Sequence, residues 1–155
     1  MYQIQTLDFP ENLPLEEEVL VSITDSLQAT TGLKQSGFVN IAIIDDARMQ
    51  ELNKLYRGID SNTDVLSFHY FDINSDVPAE EVFGEILFSL SKIEDQAKTF
   101  GHTPTEEVYR LLTHGLLHLQ GFDHETEEDY EIMWEHEQYI LQVLQKDFGI
   151  LELGL

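Results

Sequence analysis

The sequence predicts an α+β fold, a mixed sheet of about four strands with about five helices, and three observations carry that reading. Stretches of strand and helix periodicity follow one another without a regular strand-helix-strand repeat. The segment from Val108 to Leu119 is apolar almost all round, the pattern of a helix enclosed by other elements. The 155 residues, 42% of them hydrophobic, contain no internal repeat and no Pro/Gly/Ser-rich linker, which predicts one domain over residues 1–155 with core enough to fold unaided.

Taken in order, residues 2–8 alternate loosely as a first strand, and Glu16 to Thr31 carries Val19, Leu20, Ile23 and Leu27 at helical spacing before Gly32. Val39, Ile41, Ala42, Ile43 and Ile44 make a nearly continuous β-branched run, as in a central strand covered on both faces. Asp45 or Asp46 then caps a helix with Met49, Leu52 and Leu55 inward, ending before Gly58. Strands are expected over Thr63 to Phe71 and Val82 to Leu90. Ser91 with Glu94 reads as a capping box for a short helix closed by Gly101. Thr103-Pro104-Thr105-Glu106 repeats that device ahead of the buried helix. A last helix, from about Glu127 to Lys146, places Tyr130, Met133, Trp134, Ile140 or Leu141, and Leu144 on one face.

Composition narrows the chemistry. With no cysteine, a disulfide scaffold, a thiolate metal site and a cysteine nucleophile are all excluded, so any metal must sit on His, Asp or Glu. No apolar run approaches the roughly 18 residues of a membrane span and the start has no basic region, which predicts a cytoplasmic protein. Eight Lys and Arg against thirty Asp and Glu give a formal charge of -22. A surface this acidic repels phosphate backbones on average and argues against a general nucleic-acid binder.

The informative segment is His114-Gly115-Leu116-Leu117-His118-Leu119-Gln120-Gly121-Phe122-Asp123-His124. On a helix, His114 and His118 stand one turn apart on one face and can reach a single ion. Gly121 suits the left-handed residue that ends the helix and turns the chain back, returning His124 as a third nitrogen ligand. Three neutral imidazoles without a fourth protein ligand describe an open, catalytic type of site for one transition-metal ion. The spacing is that of the metzincin proteases, yet the glutamate that serves them as base is Gly115 here, which weighs against peptide hydrolysis. His69 follows the strand Val65-Leu66-Ser67-Phe68 and is a candidate, with Ser67, for lining a substrate groove. His102 in a turn and His136 between Glu135 and Glu137 on a solvated helix face are expected to stand outside the site.

These residues resemble a known family. His114 to His124 is similar to the H-G-x-L-H-L-x-G-[YF]-D-H signature of the YbeY family, bacterial metal-dependent endoribonucleases linked to ribosomal RNA maturation and ribosome quality control. Leu52-Asn53-Lys54-Leu55-Tyr56-Arg57, followed by Thr63-Asp64-Val65-Leu66-Ser67-Phe68, resembles a second block, and Gly84-Glu85-Ile86 a third, usually Gly-Asp-Ile. The resemblance spans about Asn40 to Tyr139. It implies a zincin-like fold, a zinc ion on His114, His118 and His124, a ribosomal RNA substrate, and a part for Arg57 in catalysis or RNA binding. Asn62 and His69 stand where family members usually carry proline.

Read for mechanism, a metal-activated water attacks a phosphodiester, and Arg57 stabilises the charge that builds on the phosphoryl oxygens. Asp123 either orients the neighbouring imidazole or caps the turn. Arg48, Lys54 and Arg57 fall within one predicted helix, so the positive patch is small and targeting is expected to come from the ribosome or a ribosomal protein partner. Between Glu125 and Glu137 there are seven acidic residues and no Lys or Arg, a helix that should not touch RNA. Two other readings stay open at this point: a metal-dependent hydrolase of a non-RNA substrate, and a non-catalytic ribosome-assembly factor whose metal clamps the buried helix to the following loop.

Overall fold

The computed structural model describes residues 1–151 and orders them as β1 (Tyr2–Leu7), α1 (Glu17–Thr31), β2 (Gly37–Ile44), α2 (Asp46–Arg57), β3 (Val65–His69), β4 (Val82–Ser89), α3 (Leu90–Phe100), α4 (Pro104–Leu119) and α5 (Glu127–Phe148). The α+β class, the four strands and the five helices agree with the sequence reading. The sheet runs β1-β2-β4-β3. β1, β2 and β4 are parallel, while β3 lies antiparallel to β4 at the edge, so the sheet is mixed. No helix among the described residues is long and apolar enough to cross a membrane.

Alternation along the strands separates two apolar layers. Val39, Ile41, Val65, Ile86 and Phe88 face the main core, where Val108, Leu112, Leu116 and Leu117 of α4 meet Ile23 and Leu27 of α1 and Ile140, Leu141 and Leu144 of α5. The intervening residues Leu66 and Leu87 turn to the opposite face and pack with Met49 and Leu52 of α2. β2 is central as expected, but only one of its faces is fully buried, because α2 covers the second face in part.

Helix ends mostly follow the predicted devices. Asp45 caps α2 by accepting from the Arg48 N–H at 2.8 Å, and Thr103 and Glu106 close a reciprocal capping box on α4. The α3 cap differs. Ser89, the last residue of β4, accepts from the Lys92 N–H, while Ser91 is already helical and donates to Asp46 at 2.7 Å. With no loop between β4 and α3, the cap falls to the last residue with extended backbone. Three apolar side chains also depart from expectation. Leu55 is 70% exposed because α2 buries only Met49, Leu52 and Asn53. Tyr130 and Trp134 are about half exposed on α5. Tyr130 lies beyond the part of the helix that packs, and Trp134 is about 100° round from buried Met133.

One polar cluster lies inside the fold. Glu107 is fully buried on α4, where Arg110 Nη2 donates to it at 2.5 Å, and Gln96 and His102 meet its two oxygens at 2.6 Å. These bonds hold the Glu107 carboxyl below its ordinary range against the opposing effect of burial. His102, expected in a turn, is used here to hold Glu107.

Candidate metal centre

α4 delivers its last turn to the open edge of the sheet, beside β3. Gly115 makes that approach possible: a Cβ there would meet Ile86 Cδ1, Ile86 Cγ2 and Ser67 Oγ, each at 3.1 Å. Its carbonyl accepts from Ser67 Oγ at 3.3 Å, tying the helix to β3. The position that holds glutamate in metzincins is thus pressed against the sheet, where even a Cβ would require Ile86 and Ser67 to give by a few tenths of an ångström.

His114 and His118 sit one turn apart with their Nε2 atoms 3.0 Å from each other. After Leu119 the helix ends, Gly121 takes a φ of 90°, and the chain turns back as the sequence predicts. Donor atoms of His114, His118 and His124 then lie within 4.8 Å of one another, a group that can hold a metal ion. His118 Nδ1 is 2.9 Å from the Phe122 carbonyl, which fixes Nδ1–H as the donor and leaves the Nε2 lone pair for the centre. Burial, reinforced by the neighbouring His114, pushes the His118 pKa down to about 4, so the imidazole is neutral near pH 7 as a ligand must be. The donor set of three imidazoles suits zinc and other first-row ions alike and does not select among them.

Behind His114, Glu137 Oε2 of α5 lies 3.6 Å from Nδ1, and both side chains are largely buried. The sequence reading counted Glu137 with a solvated acidic face. The overlooked signal is its place in the buried stripe of α5, four residues after Met133 and three before Ile140. His136, also read as solvated, is half buried, 2.9 Å from Thr30 Oγ1 through Nδ1 and beside the Phe122 ring.

In front of the histidines is a cavity of about 410 Å³ that brings together Arg57, Ser67, Asp123, His114, His118 and His124. Arg57 enters from the C-terminal turn of α2 and forms no ion pair among the described residues, whereas Arg48 and Lys54 of the same helix are paired with Glu51 and Asp60. Asp123 Oδ1 accepts the Glu125 N–H at 3.2 Å, bracing the turn that carries His124. His69 is not in this cavity. It is exposed, lies 2.8 Å from the Phe71 carbonyl through Nδ1, and lines a groove that adjoins the cavity through Arg57, Leu66 and Ser67.

With the geometry in place, comparison with known proteins is direct. The family model described as Endoribonuclease YbeY matches residues 7–145. The endoribonuclease YbeY of Carboxydothermus hydrogenoformans is 41% identical over 135 residues, covering 86% of this chain and 92% of that protein. That of Geobacillus thermodenitrificans is 34% identical over 148 residues, covering 90% and 94%. The solution structure of a Thermotoga maritima protein shares the fold, with a TM-score of 0.56 and 24% identity over 96% of this chain and 95% of that one.

Proposed function

The chain belongs to the endoribonuclease YbeY family, and from that premise we propose that it hydrolyses phosphodiester bonds of ribosomal RNA during maturation and quality control in the cytoplasm. The observation that carries the chemical part is the convergence on a single cavity of three imidazoles and one guanidinium that has no ion pair among the described residues.

His114, His118 and His124 would hold one ion, most naturally zinc, which when bound supplies a Lewis acid and makes hydroxide available near neutral pH. The remaining work falls to the chain. The Phe122 carbonyl keeps the His118 Nδ1 proton in place, so Nε2 stays a donor to the centre. Glu137 Oε2, 3.6 Å from Nδ1 of His114, is beyond hydrogen-bond distance and supports that ring through its charge. As a water oxygen bonds to phosphorus and the bond to the leaving ribose oxygen breaks, negative charge grows on the phosphoryl oxygens. Arg57, across the cavity, offers a planar fork of donors to that charge. Asp123 acts by shaping the His124 turn. The formal charge of -22 and the paired states of Arg48 and Lys54 support targeting through the ribosome or a ribosomal protein.

Arg57→Ala in metal-loaded protein tests the assignment. Cleavage of single-stranded RNA should fall by about a hundredfold or more, with metal content and melting temperature retained. Cleavage at the wild-type rate would remove Arg57 from the chemistry. Turnover of simple esters or peptides by the wild type, with RNA left intact, would replace the substrate class.

A further inference from the structure

The cavity does not end at Arg57. A groove of about 730 Å³ continues from it between α2 and β3, and Arg57, Leu66 and Ser67 line both spaces. Its floor follows from register. Leu66 pairs with Leu87 and Phe68 with Glu85, so these residues share a sheet face. α2 packs on Leu66 and Leu87 and reaches Phe68 only through Tyr56 near its end. Around that end the groove presents aromatic rings: Tyr56 of α2, 62% exposed, meets Phe68 edge to face at 4.9 Å, and Tyr70 is 57% exposed. Among them lies one carboxylate, Glu85, whose Oε2 accepts the Tyr70 hydroxyl. Burial and that carboxylate push the Tyr70 phenol up to about 12. Glu85 Oε1 accepts no hydrogen bond among the described residues.

This mixture suits a base better than a phosphate, since Arg48, which also lines the groove, is already paired with Glu51. A carboxylate repels phosphate oxygens, while a carboxylate beside exposed rings suits a flat aromatic ligand with N–H donors on its edge. The guanidinium of Arg57, at the junction, suits the backbone instead. We propose that the groove is a nucleobase subsite, stacking a base that adjoins the scissile phosphate on Tyr56 while Glu85 accepts from its edge. Guanine is the preferred occupant, because its N1–H and N2–H lie side by side and the carboxylate can receive both, one at the open Oε1 and one at the second lone pair of Oε2 beside the Tyr70 hydroxyl. Adenine and uracil cannot present that pair. The proposal rests on the RNA reading above and adds a position at which sequence is read.

Short labelled uridine strands bearing one central guanosine or one central adenosine separate the possibilities, with binding followed by fluorescence anisotropy and cleavage followed in parallel on metal-loaded protein. The wild type should bind the guanosine strand several-fold more tightly. Tyr56→Ala should weaken both strands by about tenfold, since stacking is tolerant of sequence. Glu85→Gln should keep the adenosine strand at wild-type affinity or better and shrink the guanosine preference below twofold. Melting curves report whether each variant folds. Binding by Tyr56→Ala within twofold of wild type, or an intact preference in Glu85→Gln, overturns the subsite. Binding with the expected preference but no cleavage leaves the subsite and sinks the phosphodiesterase reading. Cleavage without base preference sinks the subsite alone, and absence of binding to every strand sinks both.

Discussion

Gly115→Ala puts the packing of the metal helix to a quantitative test. A methyl group at this position would lie 3.1 Å from Ile86 Cδ1, Ile86 Cγ2 and Ser67 Oγ together. Carbon contacts are most favourable at about 3.5–4.0 Å, so each neighbour must give by several tenths of an ångström. Ile86 is fully buried and cannot yield outward. Such overpacking costs about 1–3 kcal/mol. Against it stands the helical preference of alanine over glycine, about 1 kcal/mol in an interior turn. The balance is a loss of about 1 kcal/mol, read as a melting temperature lower by about 3 °C for a chain of this size. Urea denaturation of the metal-free protein measures it without interference from bound ions. Ile86→Val supplies the control. It removes Cδ1 and costs about 1 kcal/mol alone, yet in the Gly115→Ala background it relieves one of the three contacts, so the double variant should be more stable than additivity predicts by about 0.5 kcal/mol or more. A Gly115→Ala protein more stable than wild type, or strict additivity in the cycle, would refute the close approach of α4 to the sheet.

Other outcomes follow from the same structure. His118→Ala should lose nearly all bound metal, while Glu137→Gln should weaken metal affinity by about tenfold or more, the usual effect of removing a group that orients a ligand, and unchanged affinity by competition with a chelator would return Glu137 to an ordinary helix position. The metal-free protein should lose stability as the pH falls from about 6.5 to about 4. Over that window the unfolded chain protonates His118 at its ordinary pKa of 6.5 while the folded state resists until about 4, so the unfolded state holds more protons. Urea midpoints at a series of pH values should show the loss in wild type and a flatter profile in His118→Gln, and parallel profiles would contradict it. Single-stranded RNA that engages about three phosphates should give a log-log salt slope of only about -2. A slope steeper than about -5 would require more contacts than Arg57 and its two paired neighbours provide.

How much of this was legible beforehand depended on whether a signal was local. The element order, the caps at Asp45 and Thr103, and the turn at Gly121 are written in short stretches of chain, where periodicity and capping chemistry act directly. The three histidines were legible for the same reason, since their spacing on a helix and turn defines their meeting point. The misses involve partners distant in sequence. Ser91 reads as a cap until Asp46, from another element, claims its hydroxyl. Leu55 reads as inward until α2 is seen to rest on a corner of the sheet. Glu137 reads as one acid among many, because its role depends on α5 crossing behind His114, which no window of sequence contains.

The three ligands stand on unequal ground, and that has a consequence in time. His114 and His118 belong to a helix packed on most sides, while His124 is exposed on a short turn held by the Phe122 N–H to Leu117 and by Asp123. Two donors are therefore held by the packing of a helix, and the third depends on the hydrogen bonds of a turn. An ion held by all three would lose its bond to His124 at the least structural cost, so its release would call for local opening of the turn and not for unfolding of the protein. Equilibrium affinity and exchange rate become separable properties. Stiffening the turn would lengthen the residence of whichever ion arrived first while leaving the donor set, and so the intrinsic preference among metals, as it is.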